Sequence, residues 1–305
     1  MRVLFCANPI QATEVDPDYV GEAEAARAAG LDVGLVDFEA LVAGDATRAV
    51  RRVPAGEDLA LFRGWMLRPD QYQALHEALA ARGVTLLTTP AMYRHAHHFP
   101  ETYAAIAAHT PRSAWLPVDD AFSLADVARL LAPFGDGPLV LKDYVKSRKH
   151  DWHTACFIPQ ASDRPAVERV VQRFLDLQGP DLNDGLVFRE FAPLQALAVH
   201  PKSGMPLALE YRAFVVHGRP LTLDPYWEVG AYDGPPPDLA PFAGAMAAIQ
   251  SPFYSLDVAR HQDGRWLIVE VGDGQVAGLP ERTDVPAFYR ALAAAIAAAP
   301  PPASR

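Results

Sequence analysis

The chain has 305 residues, half of them hydrophobic, and a formal net charge of -10 at pH 7. This length predicts two or three subdomains with a large buried core. The acidity argues against a general binder of nucleic acid, whose affinity depends on many Lys and Arg side chains at the phosphates.

Cellular location can be approached through the cysteines and the apolar runs. Cys6 and Cys156 lie far apart in apolar segments, which favours two buried thiols and a reducing compartment over a disulfide. MRVLFCANPI is too short an apolar run for a signal peptide, and no stretch of about 18 apolar residues predicts a membrane span. We therefore expect a cytoplasmic protein with neither nucleic-acid nor membrane partners.

The first third, 1–118, alternates strands with helices. The strands are RVLFCAN, LDVGLVD, DLALFR and VTLLT, and the helices are YVGEAEAARAAG, closed by Gly30, and PDQYQALHEALAARG, from Pro69 to Gly83. This alternation predicts an open α/β domain with a largely parallel sheet. No glycine-rich turn follows the first strand, so dinucleotide binding is not predicted there.

Two α+β units follow. In 119–187, Ser123 caps a helix with Asp126 at the capping-box position, and then come the strand PLVLK, the strand TACFIP and a helix that ends at Gly179. The unit 188–305 is rich in strands: GLVFREF, QALAVH, PLALEYRAFVVHG, RPLTLDPYW, FYSLDVAR and RWLIVEVG. Helices are predicted in DLAPFAGAMAAIQ and VPAFYRALAAAIAAAP, with PPASR as a frayed tail.

The last two strands predict a pair of acids. Asp263 and Gly264 indicate a two-residue hairpin turn, and counting outward from Gln262 opposite Arg265 places Asp257 opposite Glu270. The other face is apolar, with Leu256, Val258, Leu267, Val269 and Val271, whereas Ser255, Ala259 and Gly272 leave space above the acids.

Such a pair has a specific chemistry. Carboxylates about 5 Å apart across strands repel each other, and a divalent cation reverses that sign. Oxygen ligands alone indicate Mg²⁺, with Mn²⁺ as an alternative, and Mg²⁺ of this kind usually shares its ligands with nucleotide phosphates. The competing interpretation is a longer turn, a register shifted by one, and two solvated surface acids.

Lysines cluster in the predicted strand PLVLK and in the segment that follows it. Val140, Lys142, Tyr144 and, if the strand continues, Lys146 alternate onto one face, with Lys149 further on. A triphosphate is the natural anion for these cations in an acidic chain. The alternative is an amphipathic strand with solvated lysines.

The order of PLVLK, GLVFREF, LEYRAFVVHG, SLDVA and IVEVGDGQ resembles the ATP-grasp superfamily over the whole chain. The resemblance implies an ATP-grasp fold with an N-terminal open α/β domain, a small lid subdomain and a C-terminal strand-rich subdomain. It also implies roles for residues: Lys142 at the phosphates, Glu190 and the backbone at Phe191 at the adenine, Arg212 at the transferred phosphoryl group, and Asp257 with Glu270 at Mg²⁺.

Two features depart from the usual pattern of that superfamily. An Asn usually stands two residues after the second acid, but Gly272 stands there and Asp273 follows. Asp273 is expected to substitute as a metal or phosphate-side ligand, or a second Mg²⁺ is held more weakly. Lys146 and Lys149 are extra lid cations, with Lys146 expected on the cofactor side.

Other polar clusters leave alternatives open. His95, His97, His98, His150 and His153 are expected to make structural or substrate contacts, with metal binding as the alternative. Arg63, Trp65 and Arg68 follow a strand where open α/β sheets bind ligands, so they predict either a carboxylate site or a loop with solvated arginines. Glu210 is expected to pair with Arg212 or to touch the ribose.

The resemblance implies an ATP-dependent ligase that joins a small-molecule or peptide carboxylate to an amine. The reaction would pass through an acyl phosphate, with ATP and Mg²⁺ as cofactors, ADP and phosphate as products, and Lys142 and Arg212 as catalytic residues. The alternatives are an ATP-grasp phosphotransferase and a catalytically silent nucleotide-binding module.

Overall fold

The computed structural model describes residues 1–199, 201 and 205–298. Within these ranges the strands are β1 (Arg2–Cys6), β2 (Asp32–Val36), β3 (Asp58–Arg63), β4 (Val84–Leu86), β5 (Ser113–Pro117), β6 (Leu139–Asp143), β7 (Phe157–Ile158), β8 (Gly185–Glu190), β9 (Ala196–Val199), β10 (Pro206–Ala208), β11 (Glu210–Val216), β12 (Arg219–Pro225), β13 (Phe253–Arg260) and β14 (Trp266–Asp273). The α-helices are α1 (Val20–Ala28), α2 (Phe38–Val42), α3 (Ala46–Ala49), α4 (Pro69–Ala80), α5 (Pro90–His97), α6 (Phe99–Ile106), α7 (Leu124–Leu131), α8 (Arg164–Gln178), α9 (Ala243–Ala248) and α10 (Val285–Ala297).

The N-terminal sheet is parallel, as predicted. Its strands run in the order β2-β1-β3-β4, and both faces are covered. Val3 and Phe5 pack toward α1 and α10, whereas Leu4 and Cys6 pack toward α2 to α5. Burial on both faces explains why β1 is apolar at every position after Arg2.

The lid sheet has the order β5-β8-β6-β7 and packs on α7 and α8. The predicted cap of α7 is confirmed, because the Ser123 hydroxyl oxygen accepts from the Asp126 amide at 3.2 Å. The sheet places β5 beside β8, so it includes a strand from before residue 118 and one that spans residue 187. The division of the chain into three subdomains at these residues stays a prediction.

The prediction of a strand in TACFIP is wrong for most of its length. The chain forms two short helical turns, Lys149–Asp151 and Trp152–Cys156, and only Phe157–Ile158 pairs with β6. These turns bury Ala155 and Cys156 against the lid core, and the Cys156 thiol lies 3.4 Å from the Leu141 carbonyl oxygen. Tertiary packing therefore overrides the local preference for a strand.

The strand that carries Lys142 ends before Lys146, so it is too short to place both lysines on one face. β6 stops at Asp143, whose carboxylate accepts hydrogen bonds from the amides of Val145 and Lys146 and from Asn183. The chain then reverses, and Ser147 forms a bridge with Lys142. Lys146 consequently lies in a loop and not on the strand face of Lys142.

The C-terminal sheet is antiparallel, with the order β12-β11-β13-β14. The segment PLALEYRAFVVHG, predicted as one strand, is two: β10 pairs with β9, and after Leu209 the chain continues as β11 in the main sheet. Helix α10 packs against α1 and against Phe214, Val216 and Phe253 of this sheet, joining it to the N-terminal domain. The predicted tail PPASR lies outside the described residues.

The hairpin of β13 and β14 confirms the predicted acid pair by an unpredicted route. Asp257 is paired with Glu270, but His261 is bonded to Arg265, so the turn has three residues, and only Gly264 has a positive φ there. A bulge between Asp257 and Val258 offsets the longer turn by one residue. Val269 therefore leaves the predicted core row, and Ile268 packs in the core instead.

Both cysteines are free and buried, as predicted. Among the described residues, the helices are all too short or too polar to cross a bilayer. The expectation of a cytoplasmic protein stays a prediction.

Candidate active site

Three adjoining cavities lie between the lid sheet and the C-terminal sheet, and Ser147 and Lys149 line all three; together they are called the cleft. The apolar end, about 360 Å³, is lined by Trp152, Phe191 and Trp227. The centre, about 200 Å³, is lined by Lys142, Arg189, Glu190, Glu210 and Glu270. The basic end, about 360 Å³, is lined by Lys146, His150, Arg212 and His97.

Each acid of the predicted pair has a cationic partner at the cleft. The Arg212 guanidinium donates two hydrogen bonds to the Asp257 carboxylate, Nε to Oδ1 and Nη2 to Oδ2, both at 2.7 Å. The Lys142 ammonium donates to Glu270 Oε1 at 3.0 Å. Because β11 pairs with β13 and β13 with β14, Arg212, Asp257 and Glu270 stand side by side across three strands.

The electrostatics of the pair reflect burial opposed by the cations. Burial raises the pKa of the Asp257 carboxyl, Arg212 opposes this shift, and the nearby Glu270 adds to it. Burial also favours the neutral form of Glu270, but contact with Lys142 and the charges of Lys149 and Arg212 lower its pKa to about 2. Contact with Lys142 thus favours the carboxylate form of Glu270, whereas burial and Arg212 act on Asp257 in opposite directions.

The donor set fits a hard divalent cation. The two carboxylates oppose each other above Ser255 and Gly272; Glu270 lines the central and basic cavities, and Asp257 is buried behind it beside Arg212, which lines the basic one. Glu270 lines both cavities and its side chain is 35% exposed, so its second oxygen remains open to a ligand. Carboxylate oxygens are the ligands that Mg²⁺ and Mn²⁺ prefer. Asp257 and Glu270 are therefore the residues that would hold the metal.

The Asp273 carboxylate is bonded differently from those of the acid pair. Its Oδ1 accepts from the amide and the side chain of Gln275, both at 3.0 Å, and its Oδ2 has no partner among the described residues. Burial raises the pKa of Asp273 to about 7. Across residues 1–199, 201 and 205–298, no three His, Cys, Asp or Glu side chains form a metal-binding group. The role of Asp273 as a metal ligand stays a prediction.

The remaining nucleotide-side predictions lie around the same cleft. Glu190 accepts from Arg112 Nε at 3.0 Å, and the Phe191 amide already donates to the Pro138 carbonyl oxygen. Phe191 therefore reaches the cleft through its ring, which packs edge-on against Phe157. Glu210 does not pair with Arg212, because the Arg212 guanidinium is bonded to Asp257. Burial raises the pKa of Glu210 to about 7, although the nearby charge of Lys149 opposes this shift.

The prediction of an open carboxylate site at Arg63 is wrong. Arg63 is 1% exposed, and its guanidinium donates to Glu22 and to the carbonyl oxygens of Gly274 and Ala277. Trp65 donates to Asp16 at 3.1 Å, and Arg68 is exposed beside Pro180.

The histidines divide into two groups. His97 lines the basic end of the cleft, stacks on Tyr93 with ring centroids 4.9 Å apart, and is neutral because burial and then His98 and Lys146 lower its pKa to about 3. His98 is also buried, whereas His95 is only partly so. In the lid loop, His150 lines the basic end and His153 is exposed.

Two residues beside the cleft were missed by sequence reasoning. The Arg189 guanidinium contacts β14, and Tyr226 lies under Arg212 with 4.7 Å from the guanidinium carbon to the ring centroid. A charged residue inside the apolar strand GLVFREF was the one available signal for Arg189, whereas the position of Tyr226 had no such signal. Lys149, predicted as an extra lid cation, lines every part of the cleft.

Fold and site together define a protein with a cleft between a lid sheet and a C-terminal sheet, lined by acidic and basic side chains. The family model described as ATP-grasp domain, R2K clade family 3, matches residues 133–292, which include Lys142, Arg212, Asp257 and Glu270. The chain belongs to this ATP-grasp family, and its fold is the ATP-grasp fold.

Solved structures share this fold along almost the whole chain. D-cycloserine synthetase DcsG is similar with a TM-score of 0.59 and 18% identity, over 96% of this chain and 99% of that one. A RimK domain protein ATP-grasp from Sphaerobacter thermophilus DSM 20745 gives 0.60 and 18%, over 95% and 98%. ATP-grasp ligase PsnB, complexed with minimal precursor, Mg and ADP, gives 0.56 and 12%, over 96% of each chain. Among curated protein sequences, none matches.

Proposed function

We propose that the protein is an ATP-dependent carboxylate–amine ligase that works through an acyl phosphate. The observation that carries this proposal is the opposed pair Asp257 and Glu270, where an apolar cavity, a small central cavity and a basic cavity adjoin. An adenine suits the apolar end, phosphates suit the acid pair with its cations, and an anionic acceptor suits the basic end.

Support for ATP and Mg²⁺ comes from the site and from relatives. Asp257 and Glu270 would hold the Mg²⁺ ion, which would supply positive charge to offset that of the phosphates. The solved structure of PsnB is described as a ligase with Mg and ADP, and DcsG is described as a synthetase. We assign the ring of Phe191, and not its engaged amide, to the adenine side.

The chain's own cations then serve the transferred group. Lys142 and Arg212 touch the two acids, so both stand beside any phosphate bound there and can offset the charge that builds during transfer. The substrate carboxylate forms a bond to the γ-phosphorus as the bond to the ADP oxygen breaks. Its acceptor pocket is the basic end, where Lys146, His150 and the neutral His97 provide contacts.

Amide formation completes the reaction. The amine nitrogen forms a bond to the acyl carbon, the bond from that carbon to the phosphate oxygen breaks, and the amine proton leaves. Closure of the lid loop at 146–150 would keep water from the acyl phosphate. A small-molecule or peptide carboxylate and an amine are therefore the proposed partners, in agreement with the "minimal precursor" in the PsnB structure.

Product analysis tests this proposal. Purified protein is incubated with ATP, Mg²⁺, a library of carboxylic acids and hydroxylamine, and we expect a hydroxamate together with ADP and phosphate. If AMP and pyrophosphate form instead, the acid is activated by adenylation and the proposal fails. ADP with a phosphorylated hydroxyl acceptor would favour the phosphotransferase, and ATP binding without turnover would favour the silent module.

A further inference from the structure

The bulge in β14 decides which residue faces Asp257. After the three-residue turn, Arg260 pairs with Trp266, Ala259 with Leu267 and Val258 with Ile268. An uninterrupted ladder would next pair Asp257 with Val269. The extra residue at Val269 places Glu270 there instead, so the acid pair exists only while this bulge is kept.

A guanidinium from the lid sheet holds this bulge. Arg189, on β8, donates Nη1 to the Val269 carbonyl oxygen and Nη2 to the Ile268 carbonyl oxygen, the latter at 3.0 Å. The Thr110 hydroxyl donates to the same Ile268 oxygen at 2.8 Å, and the Ile268 amide donates to the His109 carbonyl oxygen at 2.8 Å. A bulge disrupts the ladder locally, so its carbonyl groups need partners from elsewhere.

Arg189 is costly to keep in this place. Burial lowers its pKa to about 10, its Nε has no partner among the described residues, and the guanidinium lies 5.3 Å from the Phe99 ring centroid. The guanidinium of this half-buried side chain presents a rigid fork of donors, which suits a fixed set of acceptors. Here the acceptors are the carbonyl oxygens of the bulge.

We propose that Arg189 is a positioning residue, which fixes the bulge of β14 and thereby keeps Glu270 opposite Asp257. The inference rests on the proposed function, because it takes these acids as metal ligands. It also connects two parts of the cleft, since Arg189 directly precedes Glu190 and Phe191 on the lid side. The lid sheet and the acid strand are thus joined by one side chain at the carbonyls that set the register.

Metal affinity and backbone exchange test the inference together. Arg189→Lys keeps a positive charge without the fork, and Arg189→Met removes both, while Thr110→Val removes one contact to the Ile268 oxygen. Arg129→Met, on the exposed face of α7, is the matched control because the Arg129 side chain is 74% exposed and its ion pair, among the described residues, is with Asp126 on its own helix. Each variant is titrated with Mn²⁺ by electron paramagnetic resonance in the presence of ADP, and with ADP in EDTA.

We expect Arg189→Lys and Arg189→Met to bind Mn²⁺ about 10- to 100-fold more weakly, as for other residues that support metal ligands, and Thr110→Val to lose less. ADP affinity in EDTA should fall by a clearly smaller factor than Mn²⁺ affinity, since the apolar end and Lys142 are unchanged while Arg189 lines the central cavity. Hydrogen exchange at the amides of 266–273 should rise in the Arg189 variants and not in Arg129→Met.

Unchanged Mn²⁺ affinity and unchanged exchange in folded Arg189 variants would overturn the inference. A loss of ADP affinity in EDTA equal to the loss for Mn²⁺ would also overturn it, because general disorder of the cleft would then explain both. If the parent protein binds ADP equally with Mn²⁺ and EDTA, the metal in the proposed function fails, whereas the exchange data still report whether Arg189 holds the bulge.

Discussion

Two buried ion pairs, each with an arginine on a strand, look alike in their contacts but differ in the space beside them. In the N-terminal domain, Arg63 donates to Glu22 and to two carbonyl oxygens, and Tyr289 donates to the same Glu22 at 2.6 Å. In the C-terminal sheet, Arg212 is bonded to Asp257 with equal closeness. Arg63 lies in a filled interface, whereas Arg212 lines the basic end of the cleft.

This difference shows that a buried charged side chain indicates a binding site mainly when a cavity adjoins it. Arg63 uses its donors on fixed protein acceptors, so it joins α1, β3 and the loop after β14 and has no capacity for a ligand. Arg212 and Lys142 each contact an acid and themselves line a cavity of the cleft. Both cations therefore have space beside them for a ligand.

The largest effect is expected at the cleft acids. Asp257→Asn and Glu270→Gln should each lower Mg²⁺-dependent ATP turnover by about a thousandfold or more, because both would lose a charged oxygen ligand. The fold should survive, since neither side chain packs in the apolar core. Turnover assays and thermal melts check this, with Asp263→Asn at the exposed turn as the control. Loss of cooperative unfolding in both variants, without a specific loss of Mg²⁺ dependence, would contradict the assignment.

The next largest effect should appear at Arg63, and on stability alone. Arg63→Met leaves Glu22 without its cation, which should lower the free energy of unfolding by about 3–5 kcal/mol. Chemical denaturation measures this change, and Arg129→Met, a surface pair, should cost less than about 1 kcal/mol. ADP affinity of the folded variant should match the parent. A stable Arg63→Met protein with weakened ADP binding would reverse the comparison between the two regions.

Lys142 should have a smaller and selective effect. Lys142→Met keeps the aliphatic stem and removes the charge, so ATP should bind about 10- to 100-fold more weakly while adenosine binding changes little. Calorimetric titration with both ligands separates these outcomes. Lys146→Met should weaken ATP less, because Lys146 lies in the exposed loop. Equal weakening of ATP and adenosine by Lys142→Met would place Lys142 away from the phosphates.

Local features of the chain made much of the fold predictable, and long-range contacts explain what was missed. The N-terminal α/β pattern, the Ser123 cap and the strands of the acid hairpin depend on neighbours in sequence. The bulge at Val269 depends on Arg189, which lies 80 residues away. The hairpin count reached the right pair because the longer turn and the bulge shift the register in opposite directions.

The same limit applies to the site residues. Lys142, Arg212 and Asp257 follow the alternation of regular strands, and Glu270 meets them because the bulge offsets the longer turn. Arg63 and Arg189 also lie in apolar strands, and nothing local distinguishes an arginine that closes an interface from one that supports a site. The loop after Asp143 folds through side-chain contacts with Asn183 and Gln178, which no periodicity records.

The smallest effect concerns pH and Asp273, whose pKa is raised from 3.8 to about 7 by burial. Between these values the folded state binds a proton that the unfolded state has released, so this residue makes stability fall as pH rises. Asp273→Asn removes the effect. In EDTA, the stability of the variant relative to the parent should grow by about 1.4 kcal/mol per unit between about pH 5 and pH 6. A pH-independent difference would show that Asp273 is ionised throughout.

The central claim, that Asp257 and Glu270 hold the metal of a nucleotide complex, is tested most directly by anomalous scattering. Crystals grown with ADP and Mn²⁺ should give an anomalous peak about 2.1 Å from an oxygen of each carboxylate, with the β-phosphate on its other side and Phe191 beside the adenine. A Mn²⁺ peak elsewhere, with the Arg212–Asp257 and Lys142–Glu270 pairs intact beside bound ADP, would contradict it.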